Sequence, residues 1–461
     1  MSKYILLCIA LLLVACQSRP ADETEMLPAG EVVVFQNVNV VTMEADTPLT
    51  GRTVIVVDDR IHKISQEPVI VADTVTVIDG SGKYLVPGLA EMHAHIPTPE
   101  GGEELIEETL FLYLAGGVTL IRGMLGHPRH LELREQVEDG TVLGPRIYTS
   151  GPSFNGNTAP DVETATGMVR DQKAAGYDFL KLHPGLTLEV FDAMAAAAKE
   201  VGIPYAGHVS RDVGVRHAIA SDYASIDHID GYVEGLVPAD AGVNPEDNGF
   251  FGINFTDLAD ESLLPELIAS TVEHDVWIVP TQCLAERWAS PVPVEEIMSD
   301  PEMAYMSPET LENWQQSKTN MLSNENYDAE KAQRWIDLRR RIIKQMYDSG
   351  VGVLLGSDAP QVFNVPGFAI QHEIEMYVAA GLTPYEALIT GTVNPARYFG
   401  LENEQGMIKE GYRADLVLVE GNPLENISNL GKRAGVMIRG MWLPREELDE
   451  KLGTIAEQYG H

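Results

Sequence analysis

The sequence is poor in cysteine and in positive charge. Only three cysteines occur in 461 residues: Cys8, Cys16 and Cys283. The first two fall in an apolar leader, so Cys283 has no partner and an internal disulfide framework is excluded. Cys283 reads as a small buried thiol. Lysine and arginine together number 32 against 69 aspartates and glutamates, a formal charge of −37. A field of that sign repels phosphates, which argues against a nucleic-acid partner. The acids are dispersed and form no tail, as on a strongly solvated surface. There is no tandem repeat or low-complexity tract. Beyond the first residues, no apolar run is long enough to span a bilayer.

The leader itself is informative. Lys3 supplies a positive start, and Tyr4 to Ala15 is apolar but short for a membrane span. It ends Leu13-Val14-Ala15-Cys16, which resembles a bacterial lipobox. That resemblance implies that residues 1–16 are a lipoprotein signal peptide and that Cys16 is lipidated. The expected product is exported and lipid-anchored to a bacterial membrane. Residues 17–30 are polar, with two prolines, and read as a flexible tether.

Two β-rich stretches flank a long middle. Glu31 to Met43, Arg52 to Val57 and Thr74 to Ile78 are apolar or alternating, and the style returns at Asp415 to Val419 and Gly435 to Ile438. Residues 31–86 and 400–445 are therefore expected to form one small β domain from both ends of the chain, with 446–461 a helical tail. The middle, 87–399, alternates short apolar strands with helical patterns, the signature of a parallel α/β fold. Strands are expected at Leu89–His93, Val118–Arg122, Arg146–Ser150, Phe179–Leu182, Tyr205–Val209, Ser225–Ile229, Val276–Pro280 and Val353–Ser357. Helices are expected at Thr187 to Val201 and Phe368 to Ala380, each closed by a glycine. Eight strand–helix units suggest a TIM-like (β/α)8 barrel. Long inserts at Gly231–Asp275 and Glu286–Arg340 are placed to shape a substrate pocket at the barrel mouth.

Chemistry concentrates at the predicted strand ends. In His93-Ala94-His95 the two imidazoles share one side of a strand and can grip one cation, although H-x-H alone is weak evidence. Lys181 stands inside the apolar run Phe179-Leu180-Lys181-Leu182, where a bare ammonium is costly. It either snorkels to the barrel mouth or is carboxylated by CO2 to a carbamate that bridges two metal ions. His208 and His228 end consecutive strands, and neutral imidazoles suit zinc. Asp358 ends the eighth strand, which returns beside the first. Arg122, His127 and Tyr232 follow strands closely and are read as substrate contacts. His130, like His127, follows the second strand near the mouth and has two readings, a substrate contact or the commoner loop-surface histidine. His183 shares the facing of Lys181 and stands behind the ligands. His62, His217, His274, His372 and His461 read as structural or solvated.

The order H-x-H, Lys, His, His, Asp resembles the binuclear branch of the amidohydrolase superfamily. The wider text is similar to its imidazolonepropionase-like group, with Xaa-Pro and Xaa-Arg dipeptidases. The matching stretches are Leu85-Val86-Pro87-Gly88-Leu89, Gly144-Pro145-Arg146, Gly207-His208, Ser225-Ile226-Asp227-His228, Gly381-Leu382-Thr383-Pro384-Tyr385-Glu386-Ala387-Leu388 and Ala414-Asp415-Leu416-Val417-Leu418. The resemblance implies that His93, His95 and Asp358 hold one ion, and that Lys181, as its carbamate, bridges to a second held by His208 and His228. It also implies a composite β-sandwich from the two chain ends. Two positions depart from the pattern: Glu91 stands where many relatives have aspartate, and Arg122-Gly123 replaces a common Arg-Asp.

The expected activity is hydrolysis of an amide in a dipeptide or N-acyl amino acid. Asp358 would take a proton from the metal-bridging hydroxide and give it to the leaving amine. A cyclic amide, lactone or phosphotriester is the alternative substrate. A deaminase fits less well, since those enzymes typically use one metal and lack the lysine. A non-catalytic binding protein on the same scaffold is the contrasting class. Substrate preference, native metal and oligomeric state are not legible.

Overall fold

In the computed structural model, residues 30–67 and 75–460 are described. The leader, Cys16 and the tether short of Gly30 lie outside the described residues. Among the described residues, no helix is long and apolar enough to cross a membrane.

The chain opens with β1 (Val32–Val40), β2 (Leu49–Val57), β3 (Arg60–Ser65), β4 (Thr76–Asp79) and β5 (Tyr84–Pro87). The middle supplies β6 (Leu89–Ala94), β7 (Val118–Gly123), β8 (Arg146–Thr149), β9 (Leu180–Leu182), β10 (Tyr205–Gly207), β11 (Ser225–Asp227) and β12 (Trp277–Val279). The end returns with β13 (Leu416–Val419), β14 (Arg433–Ile438) and β15 (Met441–Pro444), then a helix at Arg445–Gln458.

The two chain ends share one mixed sheet of eight strands, in the order β15-β14-β13-β5-β1-β2-β3 with β4 beside β1. The join is the antiparallel pairing of β13 with β5, Leu416 opposite Pro87 and Val417 opposite Val86. Val33, Phe35, Val54, Leu85, Leu416 and Met437 form a core of this sheet's own. The strands of both chain ends thus hydrogen-bond to one another, with β1 pairing β2, β4 and β5.

The middle is TIM-barrel-like α/β. β6-β7-β8 and β9-β10-β11-β12 are parallel sheets whose residues are buried almost throughout, as parallel strands covered on both faces must be. Isolated parallel bridges link them: Ser150 to Phe179 and Phe154 to Leu182 on one side, Ile278 to Val353 and Ala94 to Ala359 on the other. The eighth expected strand, Val353–Ser357, is not a regular strand. Its backbone bonds to both neighbours, through Leu354 N to Ile278 O (2.9 Å) and Met92 N to Leu355 O (2.8 Å). The pairing is interrupted where the Ser357 amide is taken by the Glu91 side chain at 2.8 Å, and it resumes through Asp358 N to His93 O (3.0 Å) and His95 N to Ala359 O (2.8 Å). Asp358 follows in left-handed backbone, φ 64°. Gly356 permits the close approach, since a Cβ there would come within 2.5 Å of Val279 and 2.9 Å of the His93 amide.

Helices cover this sheet layer. Leu188–Val201 starts on Thr187, whose side chain accepts from the Val190 amide, and ends at left-handed Gly202. The helix Ala329–Asp348 is amphipathic, burying Ala332, Trp335, Ile336, Arg339, Ile342, Ile343 and Met346 on one stripe.

Candidate active site

The site lies at the C-terminal ends of the middle strands. β6 carries His93 and leads into His95. Lys181 lies within β9. His208 and His228 come directly after β10 and β11, and Asp358 directly after the eighth segment. His228 and Asp358 both adopt positive φ, 62° and 64°. Non-glycine residues pay for that conformation, and it turns both side chains out of the strand direction.

The six residues form one cluster. Asp358 Oδ1 is 2.7 Å from His95 Nε2 and 3.5 Å from His93 Nε2, and Asp358 Oδ2 is 3.8 Å from His228 Nδ1. His93, His228 and Asp358 offer ligand atoms within 4.8 Å of one another. The His208 ring is centred 4.4 Å from that of His228, and His183 stacks on His208 at 5.1 Å. Lys181 is fully buried, its Nζ 3.8 Å from Asp227 Oδ2. Gly207 makes room for it: a Cβ there would sit 3.0 Å from Lys181 Cδ and 2.4 Å from Leu182 O.

Burial dominates the electrostatics. It holds the His93 and His228 imidazoles well below the usual histidine range and lowers His208 to about 3, so all three are neutral at physiological pH. Burial also lowers the Lys181 ammonium, against the pull of Asp227 and Asp358. His93 Nδ1, Lys181 Nζ, Asp227 Oδ2 and His228 Nε2 are all buried without a hydrogen-bond partner. His93 Nδ1 and Asp227 Oδ2 lie 3.0 Å apart and Lys181 Nζ stands 3.8 Å from the same oxygen, whereas His228 Nε2 has no such neighbour and is costly to bury unless something satisfies it. A set of neutral imidazole nitrogens, carboxylate oxygens and a buried amine fits divalent cations.

A supporting shell fixes the ligands. Glu91 accepts from the amides of His93 (2.9 Å) and Ser357 (2.8 Å) and from the Ser357 hydroxyl, tying β6 to the eighth segment. Its burial pushes the carboxyl up to about 8. Asp230 Oδ2 lies 3.2 Å from His208 Nδ1, and Thr281 Oγ1 is 2.8 Å from His228 Nδ1. Arg339 reaches in from the second insert to donate to His228 O (2.7 Å) and Pro280 O (2.9 Å). The Phe251 ring lies nearly parallel over His228, at 4.9 Å and 20°. A cavity of about 1010 Å³ opens beside His208, Asp230 and Phe251, walled largely by the first insert.

Two of the three expected substrate contacts, Arg122 and Tyr232, are placed elsewhere. Arg122 is fully buried and donates to Met92 O, Ser225 Oγ, the Tyr398 hydroxyl and Asp227 Oδ1. Its guanidinium braces the inside of the strand layer and offers no surface to a substrate. Tyr232 is fully buried, with its hydroxyl 2.9 Å from Thr271 Oγ1. His127 caps the helix Pro128–Glu138, accepting from the Arg129 amide at 3.1 Å. Proximity to a strand end placed all three near the mouth, but side-chain direction took Arg122 and Tyr232 into the interior. Cys283 is buried, and that burial pushes its thiol up.

Asp227, Asp230, Thr281, Arg339 and Phe251 were not singled out from sequence. Asp227 had a signal, since an acid inside a buried strand, two residues after Ser225, needs a partner. His372, read as structural, meets Glu302 at 2.6 Å beside Asp300. Arg287 occupies that second group through Asp300 at 2.6 Å, so it is an ion-pair network.

The sequence profile of the amidohydrolase family matches residues 84–443. Ochratoxinase from Aspergillus niger is 23% identical over 367 residues, covering 74% of this chain and 71% of that protein. Among solved structures, a bottromycin amidohydrolase superposes with TM-score 0.71 at 21% identity, covering 93% of this chain and 91% of its own. A Xaa-Pro dipeptidase with bound methionine superposes with TM-score 0.63 at 19% identity, covering 90% of this chain and 100% of its own.

Proposed function

Because this chain belongs to the amidohydrolase family and is a hydrolase of carbon–nitrogen bonds, we propose that it cleaves a peptide-like amide at the His93–Asp358 cluster. The family generally binds divalent metals. Here His93, His95 and Asp358 would hold one ion and His208 and His228 a second, with Lys181 as a carbamate between them. Zinc suits this nitrogen-rich set. The observation that carries the reading is the convergence of His93, His228 and Asp358, whose ligand atoms lie within 4.8 Å of one another, with both imidazoles held neutral and His228 Nε2 buried without a hydrogen-bond partner. Bound divalent ions supply a nucleophilic water at neutral pH and polarise the substrate carbonyl.

The chain's own groups do the rest. Asp358 faces both His93 and His95 and is the group placed to take the proton of the attacking water and return it to the departing nitrogen. Glu91 holds the backbone on either side of the cleft in register. Phe251 covers the imidazoles and limits the access of bulk water. Dipeptides and N-acyl amino acids are the substrates proposed, in line with the amide-cleaving relatives.

The same membership supports reading the two parallel sheets and their bridges as one (β/α)8 barrel over 87–399, beside a composite β-sandwich from 31–86 and 400–445. The lipobox-like Leu13-Val14-Ala15-Cys16 supports an exported, lipid-anchored location.

Metal analysis of the purified protein tests the site together with Asp358→Asn. About two ions per chain are expected, and the variant should keep its metal while losing nearly all turnover of a dipeptide and N-acyl amino acid panel. Metal-free protein, or a variant with normal turnover, would overturn the assignment.

A further inference from the structure

The cavity beside His208 is far larger than the cluster it adjoins. Its volume of about 1010 Å³ is at the upper end of what small-molecule sites need, and much more than one amino-acid side chain fills. Phe250, Phe251 and Phe255 stand on one wall, with Leu186, Val209 and Val237 among the others. Phe250 is itself packed against Trp288 and Trp335, at 4.8 and 5.8 Å. The aromatic wall is therefore backed by the second insert and held in place.

The charges around the cavity decide what it can take. Its arginines are already engaged: Arg211 pairs with Glu246, and Arg216 with Glu266 at 3.0 Å. His217 is bound to Asp192 at 2.6 Å. The acids are less well matched. Glu234 gives one oxygen to the Asn248 amide at 2.7 Å, while its other oxygen is buried without a partner. Asp230 faces the cavity from beside His208. A carboxylate entering here would meet apolar rings and the carboxyl groups of Glu234 and Asp230, and among the described lining residues both arginines are already paired with acids.

We propose that this cavity is the subsite for a bulky, uncharged group, aromatic or branched alkyl, on one side of the scissile amide. The inference rests on the amide-hydrolase reading and narrows its substrates. It favours amides carrying a large neutral substituent, and any substrate carboxylate lies outside the cavity.

The subsite can be tested apart from turnover by the binding of acetylnaphthalene, a neutral aryl ketone with no amide to cleave. Val237 lines the cavity and is only half-buried, so Val237→Trp fills the space with little burden on folding. Val243→Trp is a second filling variant from the same wall. The unmodified protein should bind the ketone, and both variants should weaken that binding at least tenfold. Turnover then compares N-naphthoyl-leucine with N-succinyl-leucine, and leucine naphthylamide with leucylglycine. In at least one pair the naphthyl member should have a kcat/KM tenfold or more above its charged partner, and Val237→Trp should erase that advantage. Absence of ketone binding, or equal binding in the filled variants, would overturn the subsite even if amides are cleaved. Ketone binding that the filled variants lose, without cleavage of any amide, would uphold the subsite and overturn the hydrolase reading instead.

Discussion

Asp227 precedes His228 in the chain, yet its carboxylate serves His93: Asp227 Oδ2 lies 3.0 Å from His93 Nδ1. The contact is not aligned as a hydrogen bond, and neither atom makes another, although Lys181 Nζ stands 3.8 Å from the same oxygen. A modest turn of either group would make the bond and fix the imidazole with Nδ1 protonated and Nε2 bare toward Asp358. Orienting partners of this kind typically control metal affinity by 10–100-fold. Asp227→Asn is therefore expected to weaken metal retention by about 10–100-fold in a chelator competition. Retention equal to that of the unmodified protein would separate Asp227 from the site.

Arg122 holds the other oxygen of the same carboxylate, at 3.1 Å, with both side chains fully buried. Removing one member of such a pair leaves an uncompensated charge in the interior. Arg122→Met is expected to destabilise the fold by about 3–5 kcal/mol, because Asp227 loses its cation and Met92 O loses its donor. Had Arg122 met substrate, the same change would raise KM and leave thermal stability near its starting value. Thermal unfolding and KM measured on one preparation distinguish the two.

Glu373 supplies a pH dependence in stability. It is fully buried and accepts from the amides of Gln282 (2.8 Å) and Cys283. Burial raises its carboxyl from 4.5 to about 7, against the pull of those donors. The folded state thus keeps a proton that the unfolded chain releases. Its contribution is full below pH 4.5 and is lost as the pH rises through about 7. Over that window the loss is about 3 kcal/mol. The Tm advantage of the native chain over Glu373→Gln, both metal-free, should shrink from about pH 5 to about pH 8. A constant or growing gap would contradict this.

The leader makes its own prediction. If Cys16 carries lipid, a palmitate label should appear on the protein expressed in a bacterium, and detergent should be needed to release it from membranes. Cys16→Ser should lose both properties. Unchanged label or partitioning in that variant would end the lipoprotein assignment.

Much of the architecture was legible because burial writes a plain pattern. The apolar runs around Leu89, Val118, Arg146, Leu180, Tyr205, Ser225 and Trp277 each correspond to a parallel strand. The helix closed by Gly202 is bounded by a capping threonine and a left-handed glycine, both local features. The ligand types also stood out, since histidines and a lysine at apolar strand ends are expensive and need a reason. The eighth segment was less legible: a side chain 266 positions away, Glu91, takes the Ser357 amide that a ladder would have used.

Sequence alone determined which stretches would be buried, where they would stop, and that imidazoles and acids would stand at those stops. Each of these depends on neighbours a few residues away. Only tertiary structure decided that Arg122 turns inward to Asp227, that Tyr232 is spent on Thr271, and that Phe251 lies over His228. Those outcomes depend on side-chain direction and on segments brought together across the fold. A polar group with two possible environments goes to the one that satisfies its hydrogen bonds, and that environment exists only once the chain has closed around it.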